Sequence, residues 1–211
     1  DQLHEGLARA ADRYAAPVVG GNLAAGSELS LSTTVLGRTD SPLLRSGARP
    51  GDGVYVTGHV GAHALGLRAL LADRRDAELA PFVHAWLHPT ARIAEGLALR
   101  GLASTCIDVS DGLLADLGHV LAASQVGAEL ELAALPFAPD FEAACALLGL
   151  DPLVLALDGG EAYELVFTAA AAPPIDATRI GTIRADRSVV LRSADGSIRA
   201  HASAGFDHFR A

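Results

Sequence analysis

Near the start of the chain, apolar residues recur at helical spacing at Leu3, Leu7, Ala10, Ala11 and Tyr14, predicting a helix over residues 3–15 that Pro17 ends. A short strand, Val18-Val19, then runs into Gly20-Gly21-Asn22. Residues 29–36 alternate apolar with Ser and Thr, the pattern of a half-buried strand. Residues 37–52 are rich in Gly, Pro, Ser and Arg and read as a connector. Beyond it, the pattern predicts a buried strand over 53–57 and a helix over 62–71. Two more helices are expected over 78–87 and 90–100, with Pro81 and Pro89 as starts. A strand-like run over 105–109 leads into a helix carrying Leu113, Leu114, Leu117, Val120 and Leu121. A strand near 128–132, helical material around 140–149 and an apolar run over 153–157 follow, the last ending at Asp158-Gly159-Gly160. Further strands are expected over 163–168, 178–183 and 189–191, with a surface loop at 169–174. Strands and helices alternate without a strict βαβ rhythm, and the end is strand-rich. The expected class is α+β, as a sandwich or a mixed sheet with helices on one face, rather than a doubly wound fold.

With 211 residues, half of them hydrophobic, the chain has room for one large domain, or one domain plus part of another. Aromatics are only 5%, so the core must be built from Leu, Val, Ile and Ala. A net charge of −9 argues against nucleic acid or a membrane surface as the main partner. All 16 basic residues are Arg, so a P-loop lysine is excluded. Cys106 and Cys145 lie far apart in apolar runs and read as buried free thiols of a reducing compartment. No apolar stretch is long enough to span a membrane and no signal-peptide layout opens the chain, so a cytoplasmic location is expected. The chain has no Met and opens within a helical pattern, as expected of a fragment or processed piece of a longer protein.

The stretch Cys106-Ile107-Asp108-Val109-Ser110-Asp111-Gly112-Leu113 sets two carboxylates and a hydroxyl where a strand meets an amphipathic helix. A helix N-terminus offers free N–H groups suited to phosphate oxygens, and paired acids beside it call for a hard divalent cation. Metal-bridged nucleotide chemistry fits these residues. So does an ordinary helix capped by Ser110 or Asp111, with Asp108 solvated. The pairs His59/His63 and His84/His88 have metal-binding spacing but no third ligand nearby, and read as exposed or core-satisfied histidines. Asp116 and His119, one turn further along, are assigned to the surface of the motif helix.

Several blocks then agree in order. They are Gly20-Gly21-Asn22, the stretch from Leu44 to Asp52, Val56-Thr57-Gly58, the stretch from Ile107 to Leu113, Gly159-Gly160-Glu161-Ala162-Tyr163-Glu164-Leu165, and Gly205-Phe206-Asp207-His208-Phe209. The series resembles bacterial thiamine-monophosphate kinase, of the superfamily that includes aminoimidazole ribonucleotide synthetase, over nearly the whole chain. The resemblance implies an N-terminal α/β domain that dimerises and a C-terminal α/β sandwich domain. Residues 1–38 would then be the C-terminal part of the first domain, and 39–211 the second. The family's amino-terminal part, with its own acidic metal ligands, is absent from this sequence.

The resemblance further implies transfer of the ATP γ-phosphoryl group to thiamine monophosphate, with Mg²⁺ as cofactor and a homodimer in the full-length form. Asp108 and Asp111 match the family's magnesium ligands, and Asn22 stands at a third metal position. Gly21, Arg45 and Ser110 match nucleotide positions, whereas Glu161 and Phe206 match the substrate side. The acceptor is already an anionic phosphate oxygen, so no general base is implied. Two positions depart from the pattern. Asn22 stands where the family has Asp and contributes no charge to a metal, and Ala162 stands where Asp is usual. Two alternatives therefore stay open. One is a related superfamily enzyme acting on another phosphorylated small molecule; the other is a weakened homologue that binds nucleotide or thiamine phosphates without turnover. The 211-residue chain alone is expected to be inactive.

Overall fold

Strand β1 (Gly53–Thr57) is buried at all five positions, as its apolar run requires, and occupies an inner place in a seven-stranded sheet. The computed structural model describes residues 2–199 and divides into two units, 1–38 and 39–211.

The first unit contains helix α1 (Gln2–Arg13), none of whose residues is buried. Residues 16–38 carry neither helix nor strand, so the strands expected at Val18-Val19 and over 29–36 are not formed. Leu29, Leu31 and Val35 keep their alternation but are all exposed. A strand exists through its neighbour's hydrogen bonds, and the described residues of the first unit contain no other strand to pair with.

The second unit has the sheet order β2-β4-β1-β5-β3-β6-β7. The remaining strands are β2 (Thr105–Asp108), β3 (Gly127–Glu131), β4 (Leu165–Ala169), β5 (Ala177–Arg184), β6 (Val189–Arg192) and β7 (Ile198–Arg199). All neighbours are antiparallel except β3 and β6, which run parallel. The mixed sheet and its helices confirm the α+β class.

Helix α5 (Leu113–Ser124) and helix α7 (Pro152–Asp158) pack on the face that carries Val54, Val56, Ile107 and Val166, forming the main core. Helix α7 was legible only as an apolar run, yet Asp151 caps it by accepting from the Leu153 N–H at 2.8 Å, and Pro152 opens it. A second core joins α2 (Ala62–Leu71), α3 (Ala80–Leu87), α6 (Phe141–Leu147) and α7 through Leu65, Phe82, Phe141 and Leu155. The alternate strand residues Tyr55, Cys106 and Phe167 face the other way, against Leu43 and Leu99. There the Tyr55 and Phe167 rings stack at 5.3 Å.

The helix expected over 90–100 is shorter, α4 (Ile93–Ala98). His88 precedes Pro89 and leaves helical geometry, with φ −134° and ψ 59°, as a residue before proline is driven to do. Helix α4 therefore restarts only after Arg92.

Candidate functional site

Three strand ends meet at one edge of the sheet. Asp108, the last residue of β2, pairs with Leu165 at the start of β4, and Leu165 N–H donates to Thr57 Oγ1 on β1 at 2.9 Å. The chain leaves β2 through Val109-Ser110-Asp111-Gly112 and enters α5. Gly112 has φ 123° and ψ 147°, and a Cβ there would meet the Asp158 carbonyl oxygen at 2.8 Å. Only glycine fits such a turn.

No side chain caps α5. The expectation that Ser110 or Asp111 would do so is overturned, and with it the reading of the motif as an ordinary capped helix. Instead Asp116, inside the first turn, accepts the Ser110 N–H at 2.9 Å and the Asp111 N–H at 3.0 Å through the same Oδ2. Asp116 is only 2% exposed, which corrects its assignment to the helix surface. It shares the core-facing stripe with Leu113, Leu117 and Val120. Burial raises its pKa, the two backbone hydrogen bonds pull it down, and the charges of Asp111 and Asp108 push it up again. Asp108 and His119 are exposed, whereas Ser110 and Asp111 are half-buried. Asp111, Asp116 and His119 present ligand atoms within 4.8 Å of one another.

The Gly-Gly-Glu loop lies directly against this acid turn. Glu161 N–H donates to the Ser110 carbonyl at 2.8 Å, Tyr163 N–H to the Val109 carbonyl at 2.9 Å, and Val109 N–H to the Glu164 carbonyl at 2.8 Å. Gly160 is required because a Cβ there would collide with the Ser110 carbonyl. Glu161 and Tyr163 take left-handed φ values of 63° and 52°, a strained choice that exposes both side chains on the same side of the buried Ala162. Tyr163 hydroxyl donates to Glu161 Oε2 at 3.1 Å. Burial, that hydrogen bond and the charges of Glu161, Asp108 and Asp111 all hold its pKa above the ordinary phenol range. The carboxylates of the two motifs thus act on one place.

Arg45 lies on the segment alongside β2. The neighbouring Leu44 carbonyl accepts the Cys106 N–H at 3.0 Å, and the Arg45 carbonyl accepts from Ser124 Oγ at 3.4 Å. Its side chain is exposed. Gly21 and Asn22 belong to the first unit, where they are exposed and outside any helix or strand. Phe206 lies outside the described residues.

A cleft of about 390 Å³ opens beside the Gly-Gly-Glu loop, between α2, α3 and residues 138–140. Its walls include Phe82, Ala162 and the ion pair of Arg92 with Glu164, whose N···O distance is 2.6 Å. His63 lines the cleft with its Nδ1 buried and without a hydrogen-bond partner among the described residues. It is therefore neither an exposed nor a core-satisfied histidine. Burial is the main cause of its lowered pKa; the carboxylates of Glu164 and Glu161 oppose the shift and Arg92 adds to it. The rings of His84 and His88 sit 4.6 Å apart. Among the described residues neither histidine pair joins a three-ligand metal group. Cys145 is buried as expected, but Cys106 is only partly so. No helix among the described residues is long and apolar enough to cross a membrane.

Sequence reasoning misassigned Asp116 and His63, gave Glu164 no role of its own, and missed Arg92. The position of Asp116 on an otherwise apolar helix stripe was a usable signal. The other three come together only through tertiary contacts.

Comparison with known proteins agrees with this geometry. Residues 49–193 match the family model described as AIR synthase related protein, C-terminal domain. Thiamine-monophosphate kinase of Aquifex aeolicus (strain VF5) is 34% identical over 198 residues, covering 90% of this chain and 64% of its own length. The Escherichia coli O157:H7 enzyme of the same name is 47% identical over 131 residues, covering 60% of this chain and 39% of its own. This chain therefore spans less than two thirds of the length of either relative. Among solved structures, AaThiL complexed with AMPPCP and TMP aligns at 33% identity with a TM-score of 0.71, covering 79% of this chain and 54% of that one. Matched across the sheet, its helices and both site loops, the chain belongs to the AIR synthase related family through that family's C-terminal domain.

Proposed function

We propose that the complete protein transfers the γ-phosphoryl group of ATP to thiamine monophosphate, giving thiamine diphosphate. The observation that carries this reading is the locking of the Asp108–Asp111 turn to the Glu161 loop by three backbone hydrogen bonds. Support comes from relatives named thiamine-monophosphate kinase and from a related structure holding AMPPCP and TMP. Residues 39–211 would be the C-terminal domain and residues 1–38 the tail of the N-terminal one. The complete enzyme would act in the cytoplasm as a homodimer, and the net charge of −9 fits small anionic ligands held through metal ions rather than nucleic acid.

The donor set suits magnesium. Asp108 and Asp111 present carboxylate oxygens at the open edge of the sheet, and hard cations take oxygen ligands. Bound there, Mg²⁺ would screen the repulsion between two polyanions. The resemblance gives Asn22, in the first unit, a metal-ligand role of its own through its amide oxygen. The chain's own part is placement. Asp116 fixes the backbone of Ser110 and Asp111, so the acids need little reorganisation when a ligand arrives. Ser110 and Arg45 flank β2 and would hold the nucleotide, Arg45 by its forked guanidinium. Glu161 and Phe206 would hold the acceptor, whose own phosphate oxygen is the nucleophile. In-line alignment then supplies most of the catalysis.

A second reading, binding without turnover, is favoured by Asn22 and Ala162. Ala162 is 3% exposed and offers no ligand atom where a carboxylate is usual. The deciding experiment measures Mg²⁺-dependent thiamine diphosphate formation by the complete natural protein and by its Asn22→Asp variant. Turnover in the natural protein, increased by the substitution, is expected. Binding with no turnover in either sinks the kinase reading, and turnover only with aminoimidazole precursors reassigns the chain within the superfamily.

A further inference from the structure

Glu161 and Tyr163 leave the Gly-Gly-Glu loop together. Both take left-handed φ values, 63° and 52°, and Ala162 between them is 3% exposed. Residues with a Cβ avoid this conformation, so the loop keeps it only because its N–H groups are fastened. Glu161 N–H donates to the Ser110 carbonyl at 2.8 Å and Tyr163 N–H to the Val109 carbonyl at 2.9 Å. The backbone is thereby fixed against the acid turn, and what stays adjustable is the pair of side chains.

Those side chains meet. Tyr163 hydroxyl donates to Glu161 Oε2 at 3.1 Å, and among the described residues no other side chain hydrogen-bonds either group. The bond does not serve the core, because both residues are exposed. A free glutamate on a surface is long and rotates readily, so ordering it costs entropy. A tyrosine is rigid by comparison and makes a strut that costs little to hold still. Burial, the bond to Glu161 and the charges of Glu161, Asp108 and Asp111 keep the phenol protonated, so it remains a donor. With Oε2 held, Oε1 is left open to a ligand.

The identity of the strut fits its surroundings. Tyr163 feels the charges of Asp108 and Asp111 as well as that of Glu161, so these carboxylates share one neighbourhood and repel one another. An arginine in this place would hold Glu161 but would also compete with a cation for the two aspartates. A neutral phenol restrains the glutamate and leaves their charge to the metal. We infer that Tyr163 is a positioning residue on the acceptor side: its hydroxyl aims the Glu161 carboxylate, which then engages the acceptor through Oε1. This inference rests on the kinase reading, which gives Glu161 the acceptor, but its test does not need turnover.

The test compares the complete natural protein with Tyr163→Phe, Glu161→Ala and the double variant. Calorimetry measures the binding of thiamine monophosphate and, with Mg²⁺, of AMPPCP. Tyr163→Phe removes one hydroxyl and keeps the ring, so the melting temperature should hold. Thiamine monophosphate should bind about fivefold more weakly, and AMPPCP within about twofold of the natural protein. In the Glu161→Ala background the same substitution should change nothing further, because the hydroxyl has no carboxylate to aim. Turnover should divide in the same way, with KM for the acceptor raised and kcat kept within about twofold. An unchanged affinity of Tyr163→Phe for thiamine monophosphate overturns the inference. So does an equal loss for AMPPCP, or an undiminished loss in the Glu161→Ala background. A natural protein that binds no thiamine monophosphate overturns the kinase reading and the inference with it. Binding that depends on Tyr163 through Glu161, without phosphoryl transfer, sinks the kinase reading alone and leaves the role of Tyr163 standing.

Discussion

Arg92 grips Glu164 with a two-pronged hydrogen bond, both contacts at 2.6 Å, and so ties the start of α4 to the residue that precedes β4. The Glu164 side chain is 5% exposed and that of Arg92 28%. The same Glu164 supplies the carbonyl that accepts the Val109 N–H. The ion pair is therefore the anchor beneath both site loops, and it raises the Arg92 pKa through its hydrogen bond to Glu164.

Replacing Arg92 by Met keeps the volume and leaves Glu164 buried with only Thr57 for company. The expected loss of stability is about 2–4 kcal/mol, discounted for the partial exposure of the arginine. Urea unfolding measures it. A change below about 0.5 kcal/mol would show that water replaces the guanidinium without cost.

Asp116 acts by accepting hydrogen bonds, so an amide oxygen in the same place should serve. Asp116→Ala is expected to raise the Mg²⁺ concentration for half-maximal nucleotide binding about tenfold, and Asp116→Asn by about threefold or less. If the two variants are equally impaired, the carboxylate works through its charge and the positioning role is wrong.

Gly112→Ala would put a methyl group against the Asp158 carbonyl at a φ that L residues avoid. A loss of about 2–4 kcal/mol is expected, read as a fall of several degrees in the melting temperature. An unchanged melting temperature would mean that the turn between β2 and α5 relaxes freely.

Burial pushes the thiols of Cys106 and Cys145 up to about 11 from an ordinary 9.0. At pH 8 each should carry about a hundredfold less thiolate than in the unfolded chain. Iodoacetamide labelling in native buffer, compared with labelling in guanidinium, checks this; rapid native labelling of both would contradict it.

The lowered pKa of His63 has a definite sign in stability. The unfolded chain takes up this proton first as pH falls, so the contribution is complete above the ordinary imidazole value of 6.5. It is lost as pH drops through the folded value. The stability difference between the natural protein and His63→Asn should therefore shift against the natural protein between neutral pH and about pH 5. A difference independent of pH would show that His63 is solvated.

Much of the sheet was readable because its strands are short apolar runs between Gly, Pro and Asp punctuation, as at Gly53–Thr57 and Thr105–Asp108. Helix α7 carried its own start signal in Asp151-Pro152, yet its apolar run looked equally like a buried strand. The segment over 29–36 misled for the converse reason, since alternation states a preference and pairing needs a partner. At the site, spacing placed Asp108, Ser110 and Asp111 correctly at the strand-to-helix turn but assigned the cap to the wrong residues. The acceptor of those N–H groups sits further along, at Asp116, on a stripe that otherwise faces the core. His63 and Arg92 were not legible, because α3 and the 138–140 loop are what close a wall around them.

The interlocked backbone of Val109, Ser110, Glu161 and Tyr163 has a mechanical meaning. Two loops some fifty positions apart in the chain are stitched into a single plate, with no slack between the acids of one and the glutamate of the other. A ligand that displaces Glu161 would strain the hydrogen bond from its N–H to the Ser110 carbonyl. Whatever occupies one half is therefore sensed at the other without any moving part, and a lesion in either loop should be felt as a fault in both.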